Sequence, residues 1–228
     1  MLAILKKEFK SYLLTPLGYV FIGMFLIMFS LFFFIDAFNS NYGNVSFEII
    51  FYNGTTILTF IAPVLTMRMF SEERKTGTEQ LILTSPVSIA GVVLGKFFAA
   101  LGVIAIALLA SFMYFGIMCY FGNPSLAVTL VSMLGFILVS GAAISIGMFA
   151  SSITENQVIA GILTIAFLIM SLFIPDLGKE FQMISIMDFY QKFPTGVISL
   201  TEVVGAVSFA AMFIAFTIIV MQRRKLVK

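Results

Sequence analysis

The sequence has no histidine, one cysteine and few charges: 13 Lys and Arg and 11 Asp and Glu among 228 residues. Each shortage excludes a class of chemistry. Without histidine there is no Ser-His dyad, no imidazole-bound zinc and no imidazole proton relay. Cys119 alone builds neither a disulfide framework nor a cysteine metal motif. In its apolar stretch it reads as a small hydrophobic side chain. A soluble domain carries about a quarter of its residues charged, whereas here the share is 11%. That is too little polar surface to cover a globule in water. What is present instead is 61% hydrophobic residues and a mean hydropathy of +1.10. Lipid has to cover such a chain. The length suits several spans with short loops and no second folded domain, so one membrane domain over 1–228 is expected. The first residues show no short apolar core followed by a small-residue cleavage site, so no cleaved signal is expected.

Residues 2–14 read as a helix with Leu2, Leu5, Phe9 and Leu13 on one face and Lys6, Lys7 and Lys10 on the other. That pattern predicts a basic amphipathic helix lying among the lipid headgroups within 1–16. Thr15-Pro16 ends it, because the residue before a proline avoids the α region. Six apolar runs follow, at about 19–35, 49–70, 92–120, 126–150, 158–174 and 203–221. Each is near or above the ~17 residues a helix needs to cross the hydrocarbon. The expected fold is therefore all-α, with six membrane-spanning helices. Of the 13 basic residues, 11 fall on one side of a six-span arrangement, leaving only Lys179 and Lys192 on the other. The positive-inside rule then places both ends of the chain in the cytoplasm. The outer segment 176–201 holds Leu177, Phe181, Ile184, Ile186, Met187, Phe189 and Phe193. A loop this apolar predicts two short amphipathic helices dipping back against the spans, broken at Pro194 and Gly196.

The loop between spans two and three, within 71–88, concentrates the charge of the chain. Glu72, Glu73, Arg74, Lys75 and Glu79 lie within eight residues. After the Thr76-Gly77-Thr78 turn comes a short helical stretch ending at Ser85-Pro86, with Thr78 as its N-cap and Leu81 and Ile82 free to bury against a partner. Charge, turn and compact helix together suit docking into a cleft of another protein on the cytoplasmic side.

Elsewhere the residues point to packing. Gly91 and Gly95 with Lys96 superficially suggest a phosphate loop, but three residues rather than four intervene, and Phe97 stands where a magnesium-binding Ser or Thr is needed. Gly91 and Gly95 instead predict a small-residue helix-packing face. The same reading covers Gly135, Gly141, Ala142, Ser145, Gly147 and Ala150 in span four. Pro63 could kink span two. Glu155 and Asn156 read as solvated or interfacial. No span has a charge near its centre under these boundaries, which disfavours an ion-coupled carrier or proton pump. It equally leaves no convergent polar site for an intramembrane enzyme.

The run Glu72-Glu73-Arg74-Lys75-Thr76-Gly77-Thr78-Glu79, then Leu81, Leu83 and Ser85-Pro86-Val87-Ser88, resembles the signature of ABC-2 type permease subunits, the membrane halves of ATP-binding cassette exporters. The resemblance covers nearly the whole chain. The stretch Ile184–Gly196, leading into Val197–Leu200, resembles the branch of gliding-motility and copper/nitrous-oxide-operon permeases. It implies that Glu72, Glu73, Arg74, Lys75, Gly77, Thr78, Glu79 and Leu81 form or flank a coupling helix that contacts a separate ATPase. It also implies that Lys6, Lys7 and Lys10 lie on a helix approaching that subunit. ATP and magnesium would be bound by the partner, with no cofactor held by this chain. Two permease chains, copies or paralogues, would pair in the inner membrane of a prokaryote. Lipid and an accessory extracytoplasmic protein are the further partners implied, and no nucleic acid.

Overall fold

A computed structural model describes residues 1–39, 47–84, 87–121, 124–173, 185–186 and 188–227. Among them there are helices and no strands. The helix α1 spans Leu2–Leu14, and Thr15 is extended (φ −92°, ψ 151°) ahead of Pro16, as an X-Pro step requires. Pro16 then opens α2, Pro16–Asn39, at the one helical position where its missing N–H costs nothing. The helix α3 covers Phe47–Thr66, short of the expected 70. Pro63 sits inside its last turn, where it withholds one backbone donor, and the chain leaves the helix through turns over 67–70. The charged loop holds two short helices, α4 (Ser71–Lys75) and α5 (Glu79–Thr84). Between them Gly77 takes the left-handed region (φ 74°) that glycine enters without a Cβ penalty. Next come α6 (Ile89–Phe121), α7 (Leu126–Ile153), α8 (Gln157–Phe173) and α9 (Leu200–Val227).

Among the described residues, five helices are long and apolar enough to cross a membrane, namely α2, α3, α6, α7 and α9. The helix α8 is shorter, at 17 residues. At ~1.5 Å rise per residue it spans roughly 25 Å, just under the ~30 Å of the hydrocarbon core.

The centre of the bundle is α7, which packs on α3, α6, α8 and α9. Its small residues explain that position. A Cβ added to Gly147 would overlap the Thr66 side chain of α3, and one added to Gly135 would overlap the Phe193 ring. Aromatic rings seal α2 onto this core: Phe25 lies 5.9 Å from Phe136, Phe29 5.0 Å from Phe51, and Phe51 5.7 Å from Phe136. Edge-to-face pairs of this kind add to plain area burial.

The expected outer helices are 3₁₀ turns in their described part, at Asp188–Tyr190 and Phe193–Thr195. Pro194 lies within the second turn, and Gly196 (φ 77°) ends it. Each turn is only three residues long, too short to repay the nucleation of an α-helix. Phe189, Tyr190 and Phe193 are nonetheless buried against α7 and α9. Leu177, Lys179, Phe181, Ile184 and Met187 lie outside the described residues.

Candidate functional site

The loop within 71–88 is bolted to the bundle at its first residues. Ser151, fully buried near the end of α7, accepts the backbone N–H groups of Phe70 and Ser71, each at 3.1 Å. It donates in turn to the Met67 carbonyl at 3.2 Å. Ser71 donates to the same carbonyl. One serine of α7 thus satisfies the backbone where the chain turns from α3 into α4, groups that would otherwise be buried orphans.

Three cations then fix the loop from three directions. Lys96 of α6, its side chain only 4% exposed, lies 2.7 Å from Glu73 of α4 and 3.4 Å from Glu8 of α1. Its ammonium also sits 5.3 Å from the centre of the Phe70 ring. Arg74 pairs with Glu155 of the α7–α8 turn at 2.8 Å and donates to the Ile153 carbonyl at 2.9 Å. Arg224, near the end of α9, pairs with Glu79 at 3.0 Å and donates to the Ser152 carbonyl. By sequence, Lys96 stands beside a false phosphate loop, Arg224 is one of the 11 basic residues that set the topology, and Glu155 reads as solvated or interfacial. Their partners lie 23, 145 and 81 positions away by residue number, so no local signal could have paired them.

Glu8, Lys96 and Glu73 form a triad with one cation and two carboxylates. Burial pushes the Glu73 carboxyl above its ordinary value, Lys96 pulls it down, and Glu8 raises it again. Its second oxygen, Oε2, is buried without a hydrogen-bond partner. The Tyr12 phenol of α1 stands well above its ordinary value, first from burial and then from Glu8, Glu73 and Glu72. It remains a neutral donor, and it reaches the Leu65 carbonyl at 3.3 Å.

The remaining predicted residues divide between an outward face and helix packing. Glu72, Lys75, Gly77, Thr78 and Leu81 are exposed, Leu81 by 71%. Thr78 precedes α5 as an N-cap does, but its hydroxyl donates back to the Glu73 carbonyl at 3.3 Å and so closes α4 instead. The Ile82 side chain and Ser85-Pro86 lie outside the described residues. A cleft of about 480 Å³ separates the exposed face from α1, with Lys7, Tyr12, Arg68, Glu72, Thr78 and Leu81 among its walls.

Lys6, Lys7 and Lys10 are exposed on α1. The inward face of that helix is Ile4, Leu5, Glu8, Phe9, Tyr12 and Leu13, so three of the four residues of the predicted apolar stripe turn inward, while Leu2 stays 80% exposed. Glycines of α6 seat this face. A Cβ on Gly95 would lie 3.0 Å from Ile4, and one on Gly102 2.9 Å from Phe9; Gly91 faces Ser88 and the chain's first nitrogen. Gly141 lies at ordinary contact distance from Phe97, and the Ser145 hydroxyl returns to the Ala142 carbonyl within α7.

At the opposite end the outer segment is pinned to α7 and α9. Tyr190 donates to the Ser132 carbonyl at 3.1 Å, Ser132 donates to the Phe193 carbonyl at 3.3 Å, and Glu202 accepts the Lys192 N–H at 3.4 Å. Burial raises the Asp188 carboxyl above its ordinary value, and a hydrogen bond from Gln191 opposes that shift. Charge is thus concentrated at one end of the bundle, on elements contributed by most of the helices. Such an arrangement joins an exposed loop mechanically to the spans.

The family model described as ABC-2 family transporter protein matches residues 2–222. No curated protein matches the chain.

Proposed function

The chain belongs to the ABC-2 family of transporter proteins, a multi-pass membrane permease component of an ABC transporter, and we propose that α4 and α5 are the elements through which a separate cassette ATPase drives it. The observation that carries this reading is the division of the charged loop into two faces. Glu73, Arg74 and Glu79 point inward and tie the loop to α1, α6, α9 and the end of α7. Glu72, Lys75, Gly77, Thr78, Gln80 and Leu81 face outward and are exposed, with Glu72, Thr78 and Leu81 along the open cleft beside α1. A loop held rigidly on one side and left bare on the other transmits a push delivered to its bare side.

On this reading α8 is the sixth span, since QVIAGILTIAFLIMSLF carries no charge and meets the lower length limit of about 17 residues. Both ends then lie in the cytoplasm of a prokaryotic cell, whose inner membrane holds the protein. Six spans would form half of the pathway, completed by a second copy or a paralogue. The partner ATPase supplies the ATP and magnesium site, and this chain acts as a non-enzymatic subunit of an exporter. The basic face of α1, with Lys6, Lys7 and Lys10, rests against lipid headgroups and the ATPase. The outer segment within 176–201 closes the far side, where an accessory protein would meet it. The gliding-motility and copper/nitrous-oxide-operon branch is the part of the family we favour, on the stretch ahead of α9.

The test is co-purification with a cassette ATPase, with substitutions confined to the bare face. Glu73 sits inside the Lys96 triad, so its reversal would damage the fold as well. Glu72→Lys combined with Leu81→Asp should leave the unfolding midpoint in place and weaken ATPase binding tenfold or more, as an order-of-magnitude expectation for desolvated contacts. Undiminished binding by that double variant would count against the proposal.

A further inference from the structure

Among the described side chains of α5, Glu79 alone is buried; Gln80, Leu81 and Thr84 are exposed. The helix is six residues long and follows the left-handed turn at Gly77, so its own backbone cannot hold it against the bundle. Among the described side chains, the one that fastens it comes from the other end of the sequence. Arg224 places one guanidinium nitrogen 3.0 Å from Glu79 Oε1 and another on the Ser152 carbonyl at the end of α7. Its neighbours Arg223 and Lys225 are exposed. The arginine fork suits this task, because its two fixed N–H directions bind two acceptors in one geometry, which a lysine cannot do. The carbonyl it engages belongs to the residue after Ser151, the serine that anchors the start of α4.

We propose that Arg224 is the positioning residue that couples the end of the last span to α5, so that a displacement of α5 is passed directly to α9. This rests on the ATPase-driven reading above and extends it by naming the helix that follows the loop. The tip of α9 is fastened to α5 by the Arg224–Glu79 pair, while α9 packs along α7 for much of its length. Movement at α5 therefore tilts α9 about its contacts with α7. The other two cations serve other helices: Lys96 ties α4 to α1 and α6, and Arg74 ties α4 to the α7–α8 turn.

The experiment has two arms. In the first, the chain alone is placed in lipid nanodiscs with spin labels at Gln80→Cys and Gln222→Cys in a Cys119→Ser background, and the label-to-label distance distribution is measured. The parent and Arg223→Gln should give a narrow distribution, Arg224→Gln a broad one, and the charge-swapped pair Glu79→Arg with Arg224→Glu a narrowed one. An unchanged width in Arg224→Gln overturns the proposal. In the second arm, the complex with its cassette ATPase is assayed for binding and for permease-stimulated ATP hydrolysis. Arg224→Gln should keep ATPase affinity within about threefold yet lose about tenfold in stimulation, inside the usual span of coupling free energies. The swapped pair should recover stimulation and Arg223→Gln should keep it. Full stimulation by Arg224→Gln, or loss of binding in step with loss of stimulation, overturns the proposal. Where Arg224→Gln does not fold, Arg224→Lys takes its place, with partial broadening and partial loss expected and parental behaviour in both arms refuting. A parent chain that binds no ATPase overturns the function proposed above, whereas the distance arm needs no ATPase and still decides whether Arg224 holds α5 to α9.

Discussion

Replacing Lys96 with methionine would keep the packing of its stem beside Phe70 while leaving Glu8 and Glu73 facing each other with only the exposed Lys7, 3.8 Å from Glu8, as a cation. Removing one member of a buried, hydrogen-bonded charge pair costs about 3–5 kcal/mol. Two features place this case at the lower end. Glu8 and Glu73 each keep 17% side-chain exposure, and Glu73, already raised by burial, can relieve the repulsion by taking up a proton. A loss of about 3 kcal/mol is expected, or roughly a hundredfold in the ratio of folded to unfolded protein. The triple variant Glu8→Gln, Glu73→Gln, Lys96→Met removes the whole charged set. It should recover most of that loss, because a neutral replacement no longer carries the desolvation of three ions. Equilibrium unfolding in mixed SDS micelles, followed by circular dichroism, measures both. The reasoning is refuted if Lys96→Met loses less than about 0.5 kcal/mol, the range of an ordinary surface change. It fails equally if the triple variant is as unstable as the single one.

Two further outcomes follow from the same end of the bundle. With its folded value raised, Glu73 holds a proton in the folded state over a window where the unfolded chain has released it. Stability therefore falls as pH rises from the ordinary carboxylate value to the raised one, and is flat above it. Unfolding midpoints taken between about pH 4 and pH 8 should show that slope in the parent and a shallower one in Glu73→Gln; equal slopes would contradict it. Ser151→Ala removes the acceptor of two buried N–H groups and should cost about 2 kcal/mol. Ser152→Ala, whose hydroxyl bonds only within its own helix turn, is the control; equal losses in the two variants would refute the anchoring role.

The helices were legible because their signals are local. Hydrophobic runs, Thr15-Pro16 and the Gly77 turn each fix a short stretch of backbone, and the structure follows them within a few residues. The early end of α3 was not legible, because the Met67 carbonyl there is taken by Ser151 of α7, 84 positions away. The exposed face of the charged loop was legible as well, since charge density alone marks it. What the sequence could not disclose is which charges face inward. Glu72 and Glu73 are neighbours of identical chemistry, yet one meets solvent and the other meets Lys96. Likewise Arg223 and Arg224 differ only by the hundred degrees of rotation between adjacent helical positions. That angle is set by the packing of α9 on α7, and only a three-dimensional arrangement fixes it. Most of the stripe on α1 was legible, since Leu5, Phe9 and Leu13 turn in, but the burial of Ile4 and Glu8 beside them depends on Gly95 and Lys96 of α6.

The seating of Phe193 over Gly135 has a consequence for how such a bundle can open. A ring resting in a notch made by a missing Cβ acts as a key: α7 cannot slide along its axis past the outer segment unless the ring first lifts out of the notch. Hydrogen bonds through Ser132 and Tyr190 hold the ring at that depth. The outer segment and the upper half of α7 must therefore travel together as one stator. Any parting of the far side has to occur along a different seam.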